Sequence, residues 1–149
     1  MKKLFTLALL LVSILFITSC SKDSAEPAAA ATTTVDPIIG IWKYTSRTTK
    51  AGTNAPVTST LTACQQTSTE EYTAAKVSVM RDYGGNTSGN CVLQSGTGVW
   101  SNQGNGNYYI TNTANGNVTI STTFSNNNNT KTSSFADGSV LVTLTHTRQ

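Results

Sequence analysis

Val118-Thr119-Ile120-Ser121-Thr122-Thr123-Phe124-Ser125 is the stretch that decides the fold. Val118, Ile120, Thr122 and Phe124 fall on one face, and Thr119, Ser121, Thr123 and Ser125 fall on the other. A period of two marks a half-buried strand, because successive Cβ atoms point to opposite sides of the pleat; an amphipathic helix needs apolar residues three and four apart. Val140, Val142 and Leu144 repeat the pattern against Leu141, Thr143 and Thr145. Thr and Val suit strands and are mediocre helix formers, so propensity and period agree.

Turn residues bracket these runs. Gly104-Asn105-Gly106-Asn107, Asn115-Gly116, the run Asn126 to Asn129 and Asp137-Gly138 recur every 10–12 residues, the rhythm of antiparallel hairpins. Tyr83-Gly84-Gly85-Asn86 and Ser88-Gly89-Asn90 add turns upstream. The spacing predicts strands at about 40–48, 56–63, 74–82, 91–101, 106–113, 117–125, 130–136 and 139–148, with a helical turn over Thr69–Ala75. Eight consecutive strands with short links form an all-β, antiparallel up-and-down meander, whose two edges disappear on closure into a small barrel.

Composition agrees with that class. Of 149 residues, 27 are Thr, 16 Ser, 13 Asn and 11 Gly, and only 11% are charged. No block of basic residues exists for nucleic acid, and a formal net charge of +3 is too small to steer a partner. From residue 37 onward, Leu, Ile, Val and Phe together number 19 of 113, a thin core that invites a covalent staple.

The N-terminus is an address. Met1-Lys2-Lys3 is a cationic n-region, and Leu4 to Ile17 is an apolar run of 14 residues, too short to span a bilayer. Ile17-Thr18-Ser19-Cys20 follows and resembles the lipobox of bacterial lipoproteins, with Ser19 where Gly or Ala is usual. The resemblance implies a signal peptide over 1–19 and a diacylglyceryl, N-acylated (palmitate-type) Cys20 that anchors the chain in the membrane without spanning it. The alternative is a plain secretory signal with a chance cysteine. Removing Lys2 and Lys3 with the signal leaves a net charge of +1. Residues 20–36, rich in Ala, Thr and Ser, cannot bury enough surface to fold and read as a flexible tether. Ser21-Lys22-Asp23 with Glu26 resembles the acidic export tag of surface-displayed Gram-negative lipoproteins, and Asp23-Ser24-Ala25 resembles an O-glycosylation sequon centred on Ser24. The expected location is the cell envelope, on the outer membrane.

With Cys20 lipidated, Cys64 and Cys91 remain, an even number in an oxidising compartment. A disulfide is the favoured reading; two free thiols or metal ligation are the alternatives. A metal would need further partners, and the single His is His146.

Pro37-Ile38-Ile39-Gly40-Ile41-Trp42-Lys43-Tyr44-Thr45-Ser46 opens the folded part, 37–149. Gly40-Ile41-Trp42 at the mouth of the first strand resembles the lipocalins. The phrase as a whole, with two later cysteines and a second Gly-x-Trp at Gly98-Val99-Trp100, is similar to the lipocalin-like domain of small bacterial lipoproteins. The resemblance implies that the first and last strands are antiparallel neighbours, that Arg148 lies over the Trp42 ring to close one end of the barrel, and that the interior holds a small hydrophobic ligand. The plainer alternative makes Trp42 a core anchor and Arg148 a solvated tail residue.

Catalysis is hard to build from these residues. His146 follows Val140, Val142 and Leu144 on the inward face of the last strand and reads as a core or rim histidine. Glu70 and Glu71 are sequence neighbours that would point to opposite sides of a strand or different faces of a helix, a poor acid/base pair. Asp82 and Asp137 fall in turns, and Gly84-Gly85 lacks the Lys and helix of a phosphate loop. The expectation is a non-enzyme with no cofactor and no metal. Tyr44, Trp100, Tyr108, Ile110, Ile120 and Phe124 are candidates for a cavity lining, and would serve equally as plain core. The alternative function is a surface-displayed module that binds glycan or protein through exposed aromatics and Asn/Thr-rich hairpin tips, with a filled barrel. The oligomeric state is left open.

Overall fold

The computed structural model describes residues 34–85, 89–113 and 116–149; the signal segment 1–19, Cys20, Ser24 and the tether through residue 33 lie outside the described residues. From Val35 on, the described residues belong to one folded unit, Val35–Gln149. Among the described residues the strands are β1 (Gly40–Ala51), β2 (Val57–Ser59), β3 (Thr69–Tyr72), β4 (Val77–Gly85), β5 (Cys91–Gly104), β6 (Asn107–Ile110), β7 (Val118–Ser125), β8 (Thr130–Asp137) and β9 (Val140–Arg148). A single 3-10 turn, Gln65–Thr67, is the only helical element there.

All pairings are antiparallel, in the order β2-β1-β3-β4-β5-β6-β7-β8-β9, and β1 also pairs with β9. That last pairing, from Trp42 opposite Arg148 to Ala51 opposite Val140, closes eight strands into a barrel and leaves β2 as a short appendage. Closure removes the two free edges a meander would otherwise expose.

The strand count survives by an exchange. The segment expected as a full strand over 56–63 forms only the three-residue β2, hydrogen-bonded to the second half of β1. The segment expected as a helical turn, Thr69–Ala75, instead supplies the barrel strand β3. Its residues pair on both sides, with Gly40–Lys43 of β1 and with Ser78–Arg81 of β4, so two ladders outweigh a weak local helical preference. A bulge between Tyr44 and Ser46 divides β1 and bends it. The first half serves β3 and the second serves β2. The expected strand over 106–113 shortens to Asn107–Ile110.

The alternation that opened the reading is seen directly: along β7, Ile120 and Thr122 are buried while Thr119, Ser121 and Thr123 are exposed. Ile38, Trp42, Tyr72, Trp100, Tyr108, Ile110 and Ile120 form one buried cluster, with Phe124 and Phe135 packed on it. The turn Asn126–Asn128 places three consecutive Asn residues at φ of 51–63°, a conformation Asn tolerates better than most residues. The thin core is stapled: Cys64 and Cys91 form a disulfide, with Cα atoms 5.3 Å apart, linking the segment before β3 to the start of β5.

Candidate functional site

One end of the barrel is shut. The segment before β1 folds across it, with the Trp42 indole donating to the Ile38 carbonyl at 2.7 Å. Asp36, the last residue of the expected tether, accepts from the Tyr108 hydroxyl at 2.9 Å and from the Asn102 amide at 2.8 Å. Arg148 ties the closure together: its Nη1 and Nη2 donate to the Ile39 and Pro37 carbonyls at 2.6 and 2.7 Å, and its Nε donates to the Asn128 carbonyl at 3.0 Å. The guanidinium carbon lies 4.3 Å from the centre of the Trp42 ring, a cation–π contact. Gly40, at φ 142°, is glycine for two reasons: the backbone conformation disfavours side chains, and a Cβ would collide with the Arg148 guanidinium. Replacing Arg148 by Ala is expected to cost about 2–3 kcal/mol, because a cation–π contact and charge-assisted bonds to carbonyls of the closing segment are lost together. Urea unfolding measures this, and an unchanged midpoint would remove Arg148 from the closure.

Above this layer the register gathers charged side chains inside the barrel. Glu70 of β3 stands opposite Trp42 of β1, and His146 of β9 stands opposite both Tyr44 of β1 and Lys131 of β8. Lys131 and His146 are fully buried. The Lys131 ammonium donates to Glu70 Oε2 at 2.5 Å and stands 4.7 Å from the centre of the Tyr72 ring. The hydroxyls of Tyr44 and Tyr72 donate to the two oxygens of Glu70 at 2.9 and 3.1 Å. Burial is the largest single influence on the Glu70 carboxyl and works against its charge, but the Lys131 ammonium, the imidazole of His146 and the hydrogen bonds from Lys131 and Tyr44 together outweigh it and hold the carboxyl at about 2. Burial lowers the Lys131 pKa, opposed by Glu70, and raises those of both tyrosines.

His146 is different. Its Nε2 is 3.7 Å from Glu70, and neither ring nitrogen has a hydrogen-bond partner. Burial pushes its pKa down to about 4, against the pull of Glu70, so the ring is neutral at pH 7. A histidine whose folded pKa is depressed leaves the native state under-protonated relative to the unfolded chain, so stability falls as pH drops from about 6.5 to about 4. Glu70 adds a further loss between about 4.5 and 2. The unfolding midpoint is therefore expected to decline steeply from pH 7 to pH 4. His146→Phe should flatten the upper part of that decline; the same slope in that variant would assign the effect elsewhere.

At the other end, the interior opens into a cavity of about 550 Å³. Tyr44, Glu70, Tyr72, Asp82 and Ser133 supply polar side chains to its lining, and Met80, Ile110, Ile120, Phe135 and Val142 supply apolar ones. Arg47 and Asp137 stand exposed at its margin, and Leu61 and Gln65, from the segment tied down by the disulfide, complete the rim. Among the described residues no group of three His, Cys, Asp or Glu side chains is placed to hold a metal ion.

Of the six residues expected as possible lining, Tyr44, Ile110 and Ile120 face this cavity. Trp100, Tyr108 and Phe124 do not; they pack in the closed half. Trp100 lies 6.2 Å from Tyr72 and 6.1 Å from Tyr108, and Phe124 lies 5.8 Å from Trp42, centroid to centroid. The reason is the closing segment, which fills the space those rings would have lined. Glu70 and Glu71 do face opposite ways, Glu71 pairing outside with Arg81 at 3.3 Å. Sequence reasoning missed Lys131 and the inward role of Glu70. The signal was present: the alternation that turns Phe135 and Ser133 inward also turns Lys131 inward, and Tyr72 carries Glu70 with it.

No protein-family model matches this chain, and no curated protein matches its sequence.

Proposed function

We propose that this protein is a lipid-anchored envelope protein with a lipocalin-like barrel that holds a small apolar or amphipathic molecule. The observation that carries the reading is the cavity: about 550 Å³, open at one end of a barrel shut at the other, with a lining that mixes apolar and polar side chains. That volume falls within the roughly 300–1,000 Å³ of small-molecule sites, which are mostly apolar with a few placed polar groups. The lipobox-like Ile17-Thr18-Ser19-Cys20 supports the anchor, and Gly40-Ile41-Trp42 supports the kinship.

The test is binding of a neutral fluorescent probe of hydrophobic sites, with native mass spectrometry of protein purified from its own membrane. The expected result is saturable one-to-one binding, weakened at least about fivefold by Leu144→Trp, which puts an indole in place of one of the cavity-lining side chains. A mass increment from acyl chains at Cys20 is expected in the same spectrum. Absence of saturable binding, or binding indifferent to Leu144→Trp, would overturn the ligand reading. An unmodified Cys20 would overturn the anchor.

A further inference from the structure

The chain enters the barrel at its closed end. Residues 36–39 cross that end and are held there by Arg148, and Val35, just before them, is 76% exposed. The outer sheet face beside this entry is apolar. Ile41, Val77 and Val99 are 42%, 38% and 56% exposed. Val77 stands directly opposite Val99, and Ile41, Glu71 and Val79 are partners in one row across β1, β3 and β4. Val77 and Val79 are two residues apart on one strand and share a face, so the four aliphatic side chains lie together on the outside.

The charge around them is positive. Glu71, within the row, is paired with Arg81 at 3.3 Å. Lys43, two residues beyond Ile41, and the exposed Lys76, next to Val77, form no ion pair among the described residues. Aliphatic side chains rimmed by cations complement a lipid surface with anionic headgroups.

Val57, Val92, Leu93 and Leu141 are also exposed, but they stand opposite Thr49, Gly84, Tyr83 and Lys50, in the half of the barrel that carries the mouth. Reach separates the two halves. A coil of 15 residues, the length from Cys20 to Thr34, has an end-to-end distance of roughly 20 Å. A nine-residue strand tilted by about 40° places the mouth about 20 Å further away. Lipid around the anchor therefore meets the closed half as an intramolecular partner, at an effective concentration of the order of millimolar, and a small patch suffices.

We propose that the face formed by Ile41, Val77, Val79 and Val99, with Lys43 and Lys76 at its margin, rests on the lipid surface that holds Cys20. The cavity mouth then points away from the membrane and exchanges its ligand with the aqueous side. The inference rests on the anchor proposed above.

The test uses the full mature protein, purified with its acyl chains and reconstituted in vesicles of phosphatidylcholine and phosphatidylglycerol with brominated tails. Bromine quenches an indole that it touches, and the native Trp42 and Trp100 are buried. Val99→Trp is expected to lose most of its added emission in these vesicles. Leu141→Trp, in the half with the mouth, should lose none. Ile41→Trp carries the same expectation as Val99→Trp should that variant fail to fold. Lys43→Glu with Lys76→Glu should weaken the quenching of Val99→Trp while the protein still floats with the vesicles. Equal quenching of Val99→Trp and Leu141→Trp, or no quenching of Val99→Trp in protein that floats, would overturn the docked face and leave the anchor standing. Protein that does not float and carries an unmodified Cys20 would overturn both.

Discussion

Glu70→Gln is expected to destabilise the protein by about 3–5 kcal/mol, the typical loss when one member of a buried ion pair is removed. The cost falls on Lys131, which is fully buried among Trp42, Tyr72 and His146 and has no other acidic partner among the described residues. Without the carboxylate its ammonium must either stay charged in a poorly polarisable interior or release its proton. Removing both charges is a different matter. Glu70→Leu with Lys131→Met replaces the pair by apolar side chains of similar length and should restore most of the loss, because the desolvation penalty of both ions disappears with their attraction. Urea unfolding of the parent, Glu70→Leu, Lys131→Met and the double variant forms a closed cycle. A single variant within about 1 kcal/mol of the parent, or a double variant no better than either single one, would sink this account of the interior.

Cys64→Ser with Cys91→Ser is expected to cost about 3.5 kcal/mol, from the loop entropy regained by the unfolded chain on the chain-entropy model. The bridged residues are 27 positions apart, and the closed loop contains β3 and β4, two of the eight barrel strands. The loss is large against the 5–15 kcal/mol typical of a whole domain, and this domain has few large aliphatic side chains to compensate. The effect should also be local. Leu61 and Gln65 reach the cavity rim from the tethered segment, so amide exchange there should accelerate more than in β7–β9. Uniform acceleration would mean that the bridge stabilises only the global fold.

Both predictions draw on features of different legibility. The cysteine pairing was readable because the expected assignment of Cys20 to a lipobox leaves two cysteines, which can pair in only one way. The barrel was readable because side-chain period is a local property: Val118 to Ser125 alternates whatever it packs against, and Thr, Val and Asn-Gly turns state their preferences within a few residues. The error at Thr69–Ala75 has the same origin. Two acids near the start of a short segment imitate a helical turn, and nothing within seven residues reveals that β1 and β4 lie ready on either side.

The ion pair was not readable in that way. Glu70 and Lys131 are 61 residues apart, and their meeting depends on β3 lying beside β1 and β8 beside β9 in particular registers. Gly98 shows the same dependence, since its missing side chain makes room for the Thr111 carbonyl of a neighbouring segment. The sequence by itself determined the strand class, the later hairpin turns and the even cysteine pair, because each follows from nearest neighbours along the chain or from counting; the turn expected at Tyr83-Gly84-Gly85 instead extends β4, with Asp82 inside the strand. Tertiary structure alone decided which inward residues became closed-end core and which faced the cavity, and that Glu70, Lys131, His146, Tyr44 and Tyr72 share one buried network. Those outcomes are set by the β1 bulge, the closing segment and cross-strand register, where a shift of one residue reverses every side chain.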